Sequence, residues 1–362
     1  MNHLELFAGI GGFRRAIDLF CQDNDEESRC LGFSEIDQFA VESYKAIYET
    51  EGEVELGDIQ KFVRQENWVE QLGQYDMLTG GFPCQAFSMM GKKRGFNDER
   101  GEVFYRIIDI LTETQPNFIL LENVRNLKNH DEGRTYAEVM RALSEDANYE
   151  VDSVVLDTKD FGLPQTRRRV FIFGIHRGHL QDGQTVEMSR EEILQISGNL
   201  NGETSLNHYN SVLDGLLSHQ VDQKYYLSER IKPTILSNGS KNFMSKSEIN
   251  QMIARPLTAT MVKMHRACQD NYYSDEFLAA PQPEEYLQQN FTKEEQAQHS
   301  IRKLTPTEAF KLQGFNSEDV SRAREAGISN HQLYRQSGNA VSVNTVYALL
   351  HYLNQKYDIL NG

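Results

Sequence analysis

Cysteine is scarce in this 362-residue chain: Cys21, Cys30, Cys84 and Cys268, no two of them in C-x-x-C spacing. That excludes a zinc-ribbon pattern and a disulfide framework, and no metal site is expected. No stretch of about 18 apolar residues could span a membrane, and no N-terminal run resembles a signal peptide, so a cytoplasmic protein with no membrane partner is expected. Positive charge is also short. Lys and Arg number 37 against 53 Asp and Glu, a net charge of -16 that argues against a uniformly nucleic-acid-binding surface. Finally, Gly9-x-Gly11-x-x-Arg14 lacks the third glycine of the dinucleotide fingerprint, which disfavours a NAD-linked oxidoreductase.

What is present has the rhythm of an α/β protein. HLELFA (3–8), CLGFSE (30–35), YDMLTG (75–80) and NFILLEN (117–123) read as buried strands, separated by segments of helical spacing such as FAVESYKAIY (39–48) and VFYRIIDILTE (103–113). YEVDSVVLD (149–157) and RVFIFGI (169–175) follow each other without an intervening helix, so antiparallel pairing is expected. Together these predict a doubly wound, mostly parallel sheet. From about 177 to 300 the rhythm fades, and 275–299 reads as an acidic, loosely helical connector. Within that region the charge reverses: Lys224 to Arg266 carries eight Lys and Arg against Glu229 and Glu248, a net of +6. Charge alone leaves a solvated basic face as an equal reading. Order returns at LTPTEAFKLQGF (304–315), where Thr305, Pro306 and Glu308 form a helix-start signature. NAVSVNTVYALLHYL (339–353) reads as a closing helix.

In open α/β sheets ligands bind beyond the carboxyl ends of the strands, so the residues following each strand are candidates. After the first come Gly9-Ile10-Gly11-Gly12, heading a helix whose N-terminus can hold a polar group. After the second comes Glu35, placed to accept from ribose hydroxyls or simply to start a helix. Asp58 and Ile59 follow the short VEL segment. Cys84 follows Pro83 in GGFPCQAFS (80–88). A free cysteine is commonly a small core filler, but Pro83 fixes the chain rigidly before the thiol, which suits a nucleophile. Glu122 ends a run of four apolar residues, where partial desolvation suits proton donation; a helix cap is the alternative. In QTRRRVFIFG (165–174), extended geometry would place Gln165, Arg167 and Arg169 on one face, able to clamp carbonyl or phosphate oxygens.

These residues bear a family resemblance. LFAGIGGF (6–13), GFPCQAFS (81–88), LLENVRNL (120–127), QTRRR (165–169), RKLTPTEAFKLQGF (302–315) and GNAVSVNTV (338–346) match, in order and over nearly the whole chain, the motifs of the DNA (cytosine-5)-methyltransferase family. The chain resembles its bacterial restriction-modification type. The resemblance implies S-adenosylmethionine as cofactor and methyl transfer to C5 of a cytosine flipped out of duplex DNA. Cys84 would attack C6, Glu122 would protonate N3, Arg169 would bind O2 and Arg167 would support the site. Phe7, Ala8, Gly9, Gly11, Glu35, Ile36, Asp58, Ile59, Pro83 and Asn339 would surround the cofactor.

The resemblance also implies a domain layout. Residues 1–180, completed by 330–362, would form the catalytic and cofactor-binding domain. Residues 181–300 would form a smaller, irregular target-recognition lobe, and 301–329 a connecting segment. Ser88, Lys92, Lys93, Arg94, Gln165, Arg255, Thr258, Lys263 and Arg266 would meet DNA. Where the family often has Thr-Leu, this sequence has Pro256-Leu257, and Thr258 is the candidate for the missing hydroxyl. A monomer is implied, as is a restriction endonuclease that shares the target sequence without stable contact. Two rivals remain. A tRNA-methylating branch has a shorter recognition region than the roughly 120 residues here. A non-catalytic DNA-binding relative would have lost Cys84 or Glu122.

Overall fold

Four consecutive apolar residues, Phe118 to Leu121, can all be buried only if both faces of their strand are covered, and in the computed structural model all four are buried. The structure describes residues 1–83, 102–181, 183–200, 204–240, 243–261, 263 and 267–361. Cys84, Ser88, Lys92, Lys93, Arg94 and Arg266 lie outside the described residues. The chain divides into two compact units: residues 1–157, 168–206 and 343–362 form the first, and 158–167 with 207–342 the second.

The first unit alternates strand and helix: β1 (Asn2–Leu6), α1 (Gly12–Asp23), β2 (Arg29–Phe33), α2 (Gln38–Ile47), β3 (Val54–Glu55), α3 (Ile59–Phe62), α4 (Trp68–Leu72), β4 (Met77–Gly81), α5 (Glu102–Thr114), β5 (Phe118–Val124), α6 (Arg134–Arg141), β6 (Tyr149–Asp157), β7 (Arg168–His176) and α7 (Arg190–Asn199). The seven strands are ordered β3-β2-β1-β4-β5-β7-β6. The first five are parallel, and β7 runs antiparallel to both β5 and β6; the β6–β7 pairing is the one the sequence predicted. Leu6, Leu78, Ile119, Leu121 and Ile172 of the sheet pack with Phe104, Ile107 and Leu111 of α5 in one core. Burying each such side chain stabilises the fold by about 1.5–3 kcal/mol. The final helix, Val343–Tyr357, returns to this unit, where the Tyr347 hydroxyl donates to Asp23 Oδ2 on α1 at 2.6 Å.

The second unit has short elements: α8 (Lys232–Leu236), β8 (Gly239–Ser240), β9 (Phe243–Met244), β10 (Tyr272–Ser274), α9 (Asp275–Leu278), α10 (Pro283–Gln288), α11 (Lys293–Gln298), β11 (Ile301–Lys303), α12 (Pro306–Lys311), α13 (Ser317–Glu325) and α14 (Asn330–Asn339). Its core gathers Val212, Leu216, Leu257, Tyr273, Phe277, Leu304 and Leu312. The predicted cap at Thr305 is present as a full capping box with Glu308. Glu308 also forms an ion pair with Arg302 at 2.9 Å, both side chains being inaccessible to solvent. The single closing helix expected from residue 339 is instead two, because Ala340 is extended (ψ 147°) and helix resumes at Val343. Among the described residues no helix is long and apolar enough to cross a membrane, and no His, Cys, Asp and Glu group could hold a metal ion.

Candidate active site

The carboxyl ends of β4 and β5 lie side by side, with Gly81 opposite Glu122. A Cβ on Gly81 would sit 3.3 Å from Glu122 Oε2, so glycine leaves room for that carboxylate. Glu122 reaches across to β7, where Arg169 Nε lies 2.8 Å from Oε1; the two side chains retain 12% and 20% exposure, enough for a ligand to reach them. The next residue, Asn123, turns inward and is buried. Its amide donates to Phe82 O at 2.8 Å, fixing the carbonyl that precedes exposed Pro83. An acid, a guanidinium and the Phe82-Pro83 segment therefore converge at one end of the sheet. Asn123 has a role that the sequence did not assign it, although its place just past an apolar strand was the available signal.

A second cluster surrounds the loop after β1. Phe7, Gly9 and Gly11 all have left-handed backbones, with φ of 54°, 57° and 77°. At Phe7 this is strain, which concentrates at functional sites. At Gly11 a Cβ would fall 2.4 Å from the Tyr48 ring, whose hydroxyl donates to Gly11 O at 2.6 Å. Glu35 takes three backbone N–H groups on its carboxylate: Gly9 at 2.9 Å, and Ile36 and Asp37 each at 2.7 Å. Thus the loop after β1 and the turn after β2 are locked together. Ile36 beside them is 79% exposed. Asp58, half-buried, caps α3 by accepting from Gln60 N at 3.0 Å, and Ile59 behind it is buried. Ala8 is buried. An exposed apolar side chain, a carboxylate anchored on backbone and a second carboxylate offer a stacking surface and hydrogen-bond acceptors that suit a purine nucleoside.

The arginine-rich segment departs from the expected alternation. Strand geometry begins only at Arg168, so Gln165 and Arg167 do not share a strand face with Arg169. Both are buried in the second unit. Arg167 donates to Leu257 O (2.9 Å), Gly338 O (3.2 Å) and Ala340 O (2.9 Å). Gln165 donates to Leu312 O and accepts from Leu257 N, at 2.8 and 2.9 Å. Their polar groups hold backbone carbonyls and amides in place. Asn339 ends α14 and is exposed, while its neighbour Gly338 packs so tightly on Thr258 that a Cβ would lie 2.2 Å from that carbonyl carbon. Arg255 is half-buried, donating to Ala267 O at 3.1 Å and lying 3.5 Å from Glu248. Thr258 and Lys263 are exposed. Part of the basic stretch is therefore internally paired: Lys224 with Asp222, Lys232 with Glu229 and Lys246 with Glu248.

The family model for C-5 cytosine-specific DNA methylase matches residues 1–355. The type II methyltransferase M1.ScrFI of Lactococcus lactis subsp. cremoris is 34% identical over 346 residues, which cover 96% of this chain and 76% of that protein. The orphan methyltransferase M.SPRI of Bacillus phage SPR is 28% identical over 438 residues, covering 98% and 97%. In fold, the crystal structure of S. pombe Dnmt2 methyltransferase matches with a TM-score of 0.70 at 17% identity, covering 98% of this chain and 99% of that one.

Proposed function

The chain belongs to the C-5 cytosine-specific DNA methylase family and is a cytosine-5 DNA methyltransferase, and on that premise we propose that it methylates C5 of cytosine within a short specific sequence of double-stranded DNA. The observation that carries the reading is the Glu122–Arg169 pair beside the tethered Phe82-Pro83 segment. Cys84 adds to C6 of a flipped cytosine. A free thiol ionises near about 8.5, so protonation of N3 drives the addition as much as thiolate supply does. Glu122 supplies that proton and holds the exocyclic amine. Arg169, paired with Glu122 in the free chain, exchanges this partner for O2 of the base, which frees the carboxyl to hold the proton that N3 receives. Arg167 holds the carbonyls of Leu257, Gly338 and Ala340 in place.

Addition at C6 makes C5 nucleophilic; when bound, S-adenosylmethionine supplies the methyl group that C5 accepts. The C5 proton passes to solvent as the C6–S bond breaks and releases the Cys84 thiolate, and N3 returns its proton to Glu122. Phe7, Ala8, Gly9 and Gly11 would line the methionine side of the cofactor, Glu35 would hold the ribose, Ile36 would pack on the adenine and Asp58 would accept from its amine. Ile59 and Pro83 would complete this set. Residues 181–300 act as the target-recognition region, with Arg255, Thr258, Lys263 and Arg266 toward DNA and Lys92, Lys93 and Arg94 on phosphates. The enzyme acts as a monomer and protects DNA from an endonuclease of the same specificity.

The test is methyl transfer from labelled S-adenosylmethionine to unmethylated mixed-sequence duplex DNA, read by base-resolution sequencing for 5-methylcytosine. Methylation at one short recurring word is the expected result. Transfer to tRNA with none to DNA would overturn the DNA reading.

A further inference from the structure

Glu5 stands on β1, two residues before the loop assigned to the cofactor, and its side chain is fully buried. One carboxyl oxygen accepts from Phe13 N in the first turn of α1 at 3.3 Å; the other accepts from the Tyr44 hydroxyl of α2 at 3.4 Å. Tyr44 in turn accepts from Arg14 Nη1 at 3.2 Å, and Arg14 pairs with Glu53 at 2.6 Å. The Glu5 backbone contributes as well. Its carbonyl accepts from Ser34 N, and Ser34 O accepts from Ala8 N inside the loop, at 2.9 and 2.8 Å. One residue thus touches the helix that leaves the loop and the turn that carries Glu35.

We propose that Glu5 is a positioning residue for the loop Phe7–Gly11, acting as a carboxylate through Phe13 and Tyr44, and that cofactor binding is linked to loss of its proton. The proposal rests on the assignment of this loop to S-adenosylmethionine. The groups facing the carboxyl are Arg14 and Asp18 of α1, Tyr44 of α2, Cys30 of β2, Glu53 and, on the same face of β1, His3. Burial pushes Glu5 up to about 8, with Arg14 and the Phe13 N–H opposing. Burial also pushes the Cys30 thiol up to about 12, raises Tyr44 and Glu53 and depresses His3 to about 3, so among Glu5, His3, Cys30 and Tyr44 it is Glu5 whose charge changes just above neutrality.

Ionisation turns Glu5 into a charged acceptor at the N-terminus of α1, where negative charge is favoured and the Phe13 N–H bond strengthens. That firms the loop. S-adenosylmethionine carries a sulfonium cation, so its binding favours the ionised form, and by linkage affinity rises as pH climbs through about 8.

The experiment is calorimetric titration of S-adenosylmethionine into the full chain from pH 6.5 to 9, for wild type and Glu5→Gln. It is paired with amide hydrogen exchange of residues 7–14 in the cofactor-free proteins. Wild-type affinity is expected to tighten about tenfold more than that of Glu5→Gln over this range, one unit of pKa difference being tenfold. Titration of the cofactor's own amine is common to both and cancels in the ratio. Exchange at residues 7–14 is expected to be faster in the variant without any cofactor. Tyr44→Phe, which removes one donor and keeps the ring, shifts the wild-type profile to higher pH and serves if Glu5→Gln does not fold. Parallel pH profiles, or equal exchange, would overturn the role of Glu5 while leaving the cofactor assignment standing. A wild-type chain that binds no S-adenosylmethionine at any pH would overturn that assignment and this proposal with it.

Discussion

Glu122 and Arg169 meet diagonally across the β5–β7 pairing, Oε1 to Nε at 2.8 Å, with Val124 rather than Glu122 as the residue directly opposite Arg169. Arg169 Nη1 meanwhile donates to Arg168 O at 2.9 Å, so the guanidinium is held from two sides. Glu122→Gln is expected to lower kcat by about 10²–10⁴, as for loss of a general acid. Arg169→Lys is expected to cost about 10–100-fold in kcat/KM, because an ammonium cannot reproduce the fork. Steady-state methylation with calorimetric cofactor binding checks both, and cofactor affinity should not move in either.

Asn123→Ala removes the amide that donates to Phe82 O and accepts from Val124 N, a loss of about 1–3 kcal/mol. The expected result is a kcat about tenfold lower with unchanged S-adenosylmethionine affinity, because the tether holds the Phe82-Pro83 segment beside Glu122 and touches no residue of the Phe7–Gly11 loop. Rescue by Asn123→Gln is not expected, since a longer side chain misplaces the donor.

Gly11→Ala meets two penalties at once, a left-handed backbone and a Tyr48 ring 2.4 Å from the new methyl. Destabilisation of about 1–3 kcal/mol is expected in thermal melts, with cofactor affinity reduced at least tenfold. Introduced into a Tyr48→Ala background, Gly11→Ala should cost only the backbone penalty of about 1 kcal/mol relative to Tyr48→Ala alone.

Stability should carry two opposed pH slopes from one strand face. His3 is depressed to about 3 from an ordinary 6.5, so the unfolded chain binds the extra proton and stability falls as pH drops below 6.5. Glu5 is raised to about 8 from 4.5, so the folded chain binds the extra proton and stability falls as pH rises from 4.5 to 8. Between 4.5 and 6.5 the two slopes cancel. Chemical denaturation across pH should show Glu5→Gln losing the alkaline decline and His3→Phe losing its share of the acid one.

The buried pair Arg302–Glu308 gives a sharper stability test. Glu308→Ala strands a guanidinium in the interior and also breaks the Thr305 capping box, so a loss of about 3–5 kcal/mol is expected. Arg302→Met with Glu308→Leu should recover most of that loss in denaturant melts. Failure to recover would assign the penalty to the cap rather than to the charge.

The sequence was legible wherever local chemistry and fold agree. Phe118–Leu121 announced a strand covered on both faces, and the close spacing of Tyr149–Asp157 and Arg169–Ile175 announced an antiparallel pair. Thr305, Pro306 and Glu308 announced a helix start. Legibility failed where tertiary partners decide. Gln165 and Arg167 look like strand residues by alternation, but their hydrogen bonds go to carbonyls and amides of residues 257, 312, 338 and 340, some 90 to 173 positions away. Glu5 sits in an apolar strand, and nothing in its neighbours along the chain signals Tyr44 or Phe13. At the candidate site, residue types were readable from the motifs, whereas the tether from Asn123 to Phe82 needed coordinates.

The ten residues 158–167 leave one compact unit after β6, complete the other, and return at β7. The second unit is therefore not a cassette that can be cut at two points and transplanted. A chimaera that exchanges 207–342 alone inherits the host's 158–167, and the host's arginine at position 167 must find three carbonyls in foreign loops at the places now held by Leu257, Gly338 and Ala340. A graft of the second unit has to carry 158–167 together with 207–342.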